Sequence, residues 1–328
     1  MRRFFLLALT AASFVHARVW NDTGVGTIVF EEAWSTPEIA MVLSCVQPCV
    51  QGVSDPETAA AMAVDLNNNL ADLISNNTLR FGAFAALAMH NASVAAQELN
   101  RTVKELGFLG ALLNDYQQSG PNDGMSPSYP HVARDTLLYY DQPEYDEFWQ
   151  MVTDLDVPVY FHPRTNVEPI LSLVYGHGFG LEGPAQEFAA TLSTHILGLC
   201  TNGVFDRFPT LKIIVGHLGE RLPSDLFRTD EQLLRQVPLG IPMQRNASSY
   251  WLTNLYETTA GNFATPLLQF HKSQIGLDRI MHSIDYPFAL ISEGQEWVNG
   301  LADSDILTRE ELLELKRGTA IRVLKLDD

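Results

Sequence analysis

The chain has 328 residues, of which 46% are hydrophobic and 18% charged, and a formal net charge of −18 at pH 7. That is enough apolar material for one large α/β domain or two smaller ones. The acidic balance makes nucleic acid and anionic membranes poor partners, and an anionic substrate needs a local metal or arginine to draw it in.

Arg2 and Arg3 precede an apolar run from Phe4 to Val15, and Val15-His16-Ala17 carries small residues at the two positions a signal peptidase reads. Residues 1–17 therefore read as a secretory signal peptide cleaved after Ala17, with residues 18–328 as one catalytic domain. Cleavage removes two arginines and no acid, taking the charge from −18 to −20. Asn-x-Ser/Thr sequons at Asn21, Asn76, Asn91, Asn100 and Asn246 agree with a secreted, N-glycosylated protein. The three cysteines are too few for a disulfide framework; Cys45 and Cys49 are placed to pair, which leaves Cys200 free in a helix. After the N-terminus no stretch is long and apolar enough to span a bilayer.

Thr27 to Ala33 reads as a short strand ending on Glu31 and Glu32, and Met41 to Val46 as a second strand. Only the seven residues Trp34 to Ala40 separate them, abnormally short for a parallel crossover. Asp55-Pro-Glu-Thr opens a helix to about Leu73. A strand from Phe81 to Met89 ends at His90, a helix follows from Ser93 to Leu106, and a strand from Phe108 ends at Asn114. A Gly/Pro/Ser-rich loop, 117–131, precedes a helix over 144–155 and a strand over 157–161 that ends on His162-Pro163-Arg164. After a helix over 185–199, a strand over 211–215 ends on Gly216-His217-Leu-Gly-Glu220-Arg221. The strand predicted over Trp251 to Glu257, a helix from Thr265, the stretch Arg279 to Ile284 and a closing helix over 309–324 complete the alternation. Eight strands with helices between most of them predict one (β/α)8 TIM barrel of the metal-dependent hydrolase type.

In such a barrel the C-terminal strand ends share one rim, so Glu31, His90, His162, His217 and Asp285 become neighbours. Carboxylate and imidazole groups with open positions suit zinc, manganese or magnesium, and Glu31, His162 and Asp285 are the assigned ligands. Glu220 follows His217 by one helical turn, so it can orient the imidazole and make it an acid, base or anion stabiliser. The rival pairing makes His217 the ligand and Glu220 a structural cap. His282, three residues before Asp285, falls on the opposite face of its strand and reads as structural.

At these residues the chain resembles the metal-dependent aromatic-acid decarboxylases of the amidohydrolase superfamily, among them the fungal 2,3-dihydroxybenzoate decarboxylases. The resemblance lies in Phe30-Glu31-Glu32-Ala33, Tyr160-Phe161-His162-Pro163-Arg164, Gly216-His217-Leu-Gly-Glu220 and Ser283-Ile-Asp285-Tyr-Pro-Phe288, and it runs from Met41 almost to the C-terminus. It implies nonoxidative decarboxylation of an ortho-hydroxylated aromatic acid of the dihydroxybenzoate, orsellinate or salicylate kind, one divalent metal and no organic cofactor. It further implies that Asp285 protonates the ring carbon, that His217 with Glu220 stabilises the phenol-derived oxygen, and that Arg228 and Phe288 lie near the substrate. Ala33 stands where some members have a second metal-binding His, and relatives carry a long insertion between the first two strands. A hydrolase of the same superfamily and a non-catalytic barrel that only binds an aromatic ligand are the alternatives. Relatives form dimers or tetramers, and the sequence leaves open whether this chain is a homo-oligomer.

Overall fold

The computed structural model describes residues 27–32, 39–120 and 137–326, with side chains from residue 40 onward. Residues 1–17 and Asn21 lie outside the described residues.

Eight parallel strands follow one another around the molecule: β1 (Thr27–Glu32), β2 (Ile39–Leu43), β3 (Phe81–Ala83), β4 (Ala111–Asn114), β5 (Pro158–His162), β6 (Lys212–Val215), β7 (Leu255–Thr258) and β8 (Ile280–Met281). β1 pairs with β2 and β2 with β3, a bridge from Ala85 to Ala111 joins β3 to β4, and β4 to β8 pair in sequence. The expected barrel order is therefore met. β1 and β2 are parallel, with Thr27 opposite Ile39, and residues 33–38 between them lie outside the described residues.

The period-2 alternation of the strands sorts their side chains. Ala40, Val42, Phe84, Leu112, Tyr160, Ile214 and Met281 share one buried cluster, the barrel interior, with Ala320, Ile321, Val323, Leu324 and Leu326. The intervening Ala83, Ala111, Leu113, Val159, Phe161, Ile213 and Val215 belong to a larger cluster shared with the helices. Those helices include α1 (Pro56–Ile74), α2 (Ala92–Glu105), α3 (Asp146–Leu155), α4 (Glu187–Thr201), α5 (Leu226–Leu234), α6 (Ala247–Thr253), α7 (Thr265–Ile275), α8 (Ile291–Ala302) and α9 (Thr319–Leu324). Asp55 caps α1 by accepting from the Thr58 N–H at 2.9 Å, and Asn91 caps α2. No helix among the described residues is long and apolar enough to cross a membrane.

Three elements depart from the sequence prediction. The strand expected over 81–89 ends at Ala83, because side-chain amides take over the backbone that a ladder would have paired. Asn67 brackets Ala86, its Oδ1 accepting from the N–H and its Nδ2 donating to the carbonyl, both at 2.9 Å; Gln51 Nε2 donates to Leu87 O at 2.8 Å. Trp251, predicted in a strand, lies in α6: buried Ala247, Tyr250 and Trp251 have helical spacing, and the strand begins only at Leu255. The stretch after Arg279 is a strand only over Ile280–Met281. Beyond it His282 is buried and hydrogen-bonded to Thr259 Oγ1 at 3.1 Å, the structural role expected of it.

Candidate active site

His162 follows Tyr160 by two residues on β5, so its side chain shares the inward face, one layer nearer the C-terminal rim. Below it the Tyr160 hydroxyl meets Thr258 Oγ1 at 2.7 Å. His162 Nδ1 lies 2.6 Å from the Pro163 carbonyl oxygen, which can only accept, so the proton sits on Nδ1 and Nε2 is left as the ligand atom. Burial, and then the neighbouring His217 ring, push the His162 imidazole down to about 4, against the opposing pull of Asp285 and that carbonyl. It is therefore neutral at neutral pH, the form that binds a cation.

After β6 the chain makes a left-handed turn. His217, Leu218, Gly219, Glu220 and Arg221 have φ of 54°, 56°, 64°, 48° and 69°. Left-handed helical backbone costs non-glycine residues roughly 1–2 kcal/mol each, so the surroundings must hold the turn. Leu218 is buried, Asn262 Nδ2 donates to the His217 carbonyl at 3.2 Å, and Gly219 packs against Trp251, Pro223 and Glu257. The result is the predicted pairing on a turn of the opposite hand: His217 Nδ1 donates to Glu220 Oε1 at 2.5 Å. His217 Nε2 is thereby the outward nitrogen.

Asp285 follows β8 at a φ of 76°. Its carbonyl accepts from the N–H groups of Phe288 and Ala289 at 2.8 and 2.9 Å. Its carboxylate lies against Gly261, where a Cβ would stand 2.6 Å from Oδ2, so only glycine admits the side chain. His217 Nε2 and Asp285 Oδ2 are 3.6 Å apart, beyond a hydrogen bond, and the His162 and His217 ring centroids are 5.5 Å apart. One ligand atom from each of His162, His217 and Asp285 lies within 4.8 Å of the others. These atoms lie close enough for a cation to sit at this end of the group, and the Pro163 carbonyl fixes the His162 tautomer as a metal-binding histidine requires, while Glu220 fixes that of His217, whose Nε2 faces Asp285.

The three residues form one end of a cavity of about 430 Å³, large enough for a substituted benzoate, with Phe188 and Phe288 as apolar wall. Phe288 lies on that wall, whereas Arg228 stands exposed on α5, off the cavity lining; the arginine on the wall is Arg221, whose guanidinium donates at 2.8 Å to both Gln186 Oε1 and the Ala185 carbonyl. Its place at the end of the Gly216–Arg221 motif was the available signal. His90 is buried outside the three-residue group. The Glu31 side chain lies outside the described residues; its backbone is the penultimate position of β1. Gln47 on the cavity wall was also missed.

Fold and site together define a (β/α)8-barrel enzyme that gathers His162, His217 and Asp285, a group that could hold a cation, at its C-terminal rim. Residues 44–326 match the amidohydrolase family, and the chain belongs to it. It is 38% identical over 288 residues to a gamma-resorcylate decarboxylase of Rhodococcus jostii, covering 88% of this chain and 83% of that one. Among solved structures, 2,6-dihydroxybenzoate decarboxylase from Rhizobium superposes with a TM-score of 0.83 at 33% identity, over 93% of this chain and all (100%) of that one. A dihydroxybenzoic acid decarboxylase from Polaromonas, solved with manganese and the inhibitor 2-nitroresorcinol, gives a TM-score of 0.81 at 32% identity, covering 93% and 98% of the two chains.

Proposed function

We propose that the protein is a metal-dependent, nonoxidative decarboxylase of a small ortho-hydroxylated aromatic acid of the dihydroxybenzoate type. The observation that carries this reading is the convergence of His162, His217 and Asp285 at one end of a benzoate-sized cavity with aromatic walls. His162 and Asp285, with Glu31 from the end of β1, would hold one divalent cation, which when bound would supply positive charge to balance the negative charge developing on the substrate's oxygens. Two carboxylates against one imidazole favour manganese or magnesium over zinc. Asp285 delivers a proton to the ring carbon that bears the carboxylate. The electrons of the breaking carbon–carbon bond stay with the ring, and carbon dioxide leaves as aromaticity returns. His217, oriented by Glu220 and facing Asp285, steadies the phenol oxygen and exchanges the proton. Phe188 and Phe288 supply the apolar wall against which the ring packs.

The test is carbon dioxide release from 2,6-dihydroxybenzoate by the purified protein loaded with manganese. Turnover is expected, with loss of at least about 100-fold after exhaustive chelation and recovery on adding manganese back. No carbon dioxide from a panel of 2-hydroxybenzoates sinks the reading, and a hydrolysed lactone or amide in its place selects the hydrolase alternative.

A secretory address belongs to the same proposal. Asn76, Asn91, Asn100 and Asn246 are all exposed, as glycan acceptors must be, and Cys45 and Cys49 form a disulfide that an oxidising compartment preserves. Protein recovered from the medium of a eukaryotic host is expected to gain electrophoretic mobility on treatment with peptide N-glycosidase; retention inside the cell without glycan contradicts this address.

A further inference from the structure

Beside His162 and Asp285 the cavity wall opens into a recess of about 20 Å³, room for roughly one oxygen atom, bounded also by Cys45, Gln47, Asn114 and Phe288. Two of its walls are polar, one of them a buried acceptor without a partner and the other a donor turned to the cavity. Asn114 is 1% exposed, and its Oδ1 has no hydrogen-bond partner while its Nδ2 donates to the Cys45 carbonyl at 3.3 Å. A buried acceptor left unpaired is costly and rare enough to need a reason. Opposite in character is Gln47: its Oε1 accepts from the Thr165 N–H at 3.2 Å, which leaves the Nε2 donor to the cavity.

The segment that carries Gln47 is anchored on both sides. Asn114 holds the Cys45 carbonyl, Arg164 Nη1 donates to the Gln51 carbonyl at 2.6 Å, and Gln51 Oε1 accepts from the Asn114 N–H at 3.2 Å. Between these anchors the Cys45–Cys49 disulfide closes the loop, so only Val46, Gln47 and Pro48 are left in the tip. Such a short closed loop has little freedom to lose when a ligand arrives, which suits a residue that reads a substituent.

We propose that this recess is a hydroxyl subsite. A ring hydroxyl beyond the one ortho to the carboxylate donates to Asn114 Oδ1 and accepts from Gln47 Nε2, so the pair selects dihydroxylated over monohydroxylated aromatic acids. The proposal rests on the reading of the cavity as an aromatic-acid site. The chemistry is that of a site built to hydrogen-bond a hydroxyl: an acid that lacks the group leaves buried polar atoms unpaired and is rejected.

The experiment compares 2,6-dihydroxybenzoate with 2-hydroxybenzoate in wild type, Gln47→Leu and Asn114→Leu, with melting temperature recorded for each. Wild type is expected to prefer the dihydroxy acid, and Gln47→Leu to lower the ratio of the two kcat/KM values by about tenfold or more, with the loss lying in KM for the dihydroxy acid. Asn114→Leu is expected to shift the ratio in the same direction. A Gln47→Leu protein that folds and keeps the wild-type ratio within twofold overturns the proposal. Calorimetric binding of the same two acids separates this proposal from the reaction itself. Absence of carbon dioxide with discrimination in binding that falls in Gln47→Leu refutes the reaction and supports the subsite, whereas a wild type that binds neither acid overturns both.

Discussion

Replacing Asp285 by Asn is expected to lower kcat by about 10³-fold or more, with the melting temperature within about 2 °C of wild type. The two side chains have the same shape, so the Asn fits the slot beside Gly261, where nothing bulkier than hydrogen opposes Oδ2. What changes is charge and acidity. An amide cannot protonate a ring carbon, and it is a poorer ligand for a hard cation than a carboxylate. Metal analysis of the same sample apportions the loss. A full complement of metal with no turnover assigns the defect to the proton, and loss of metal assigns it to the ligand role. More than a tenth of wild-type activity in a metal-replete Asp285→Asn protein would remove Asp285 from the chemistry. The position of His217 makes the first outcome the informative one: its Nε2 stands 3.6 Å from Asp285 Oδ2 and its Nδ1 is held by Glu220.

Much of the site was legible because strands impose parity. Once Tyr160 is assigned to the barrel interior, His162 must share its face, and a polar residue at a buried strand end marks the rim. Asp285 was legible for a similar reason, as a carboxylate where an apolar strand meets a proline. The Glu220 contact with His217 followed from a spacing of three residues, although that spacing is satisfied by turns of either hand and gives no hint of the left-handed one. Other features depended on partners distant in sequence. Asn67 pairs with Ala86 across 19 residues and ends β3 early, which no local pattern encodes. Arg228 and Arg221 could be told apart only by seeing which one the turn delivers to the cavity. Gln47 had a weak local signal, the Cys-x-x-x-Cys loop at the end of β2, but its meaning needed Asn114 and Thr165 beside it.

Gly219→Ala is the sharpest test of how the left-handed turn is held. Its φ of 64° already disfavours an L side chain, by roughly 1 kcal/mol for alanine, and the added Cβ would stand 2.7 Å from Trp251 Cη2, 2.8 Å from Glu257 Oε2 and 2.8 Å from Pro223 Cδ. None of these can step aside easily. Trp251 is 1% exposed, and Glu257 and His271 are completely buried, with both carboxylate oxygens 3.0 Å from His271 Nδ1 and Ser224 Oγ 2.9 Å from His271 Nε2. Burial raises the pKa of Glu257 and the His271 contact opposes it, so moving the carboxylate off its partner would expose the full cost of burying it. Overpacking of this kind adds about 1–3 kcal/mol to the backbone cost, giving a total of roughly 2–4 kcal/mol and a melting temperature lower by about 3–6 °C. Activity is expected to fall further than stability, by about 100-fold, since a shift of the turn moves His217 relative to Asp285. Gly240→Ala supplies the control: its φ is 96°, but no atom lies within 4 Å of the added Cβ, so it carries the backbone cost alone. If both variants melt alike and turn over like wild type, the packing around Gly219 does not hold the turn, and the placement of His217 must come from its hydrogen bonds to Glu220 and Asn262 alone.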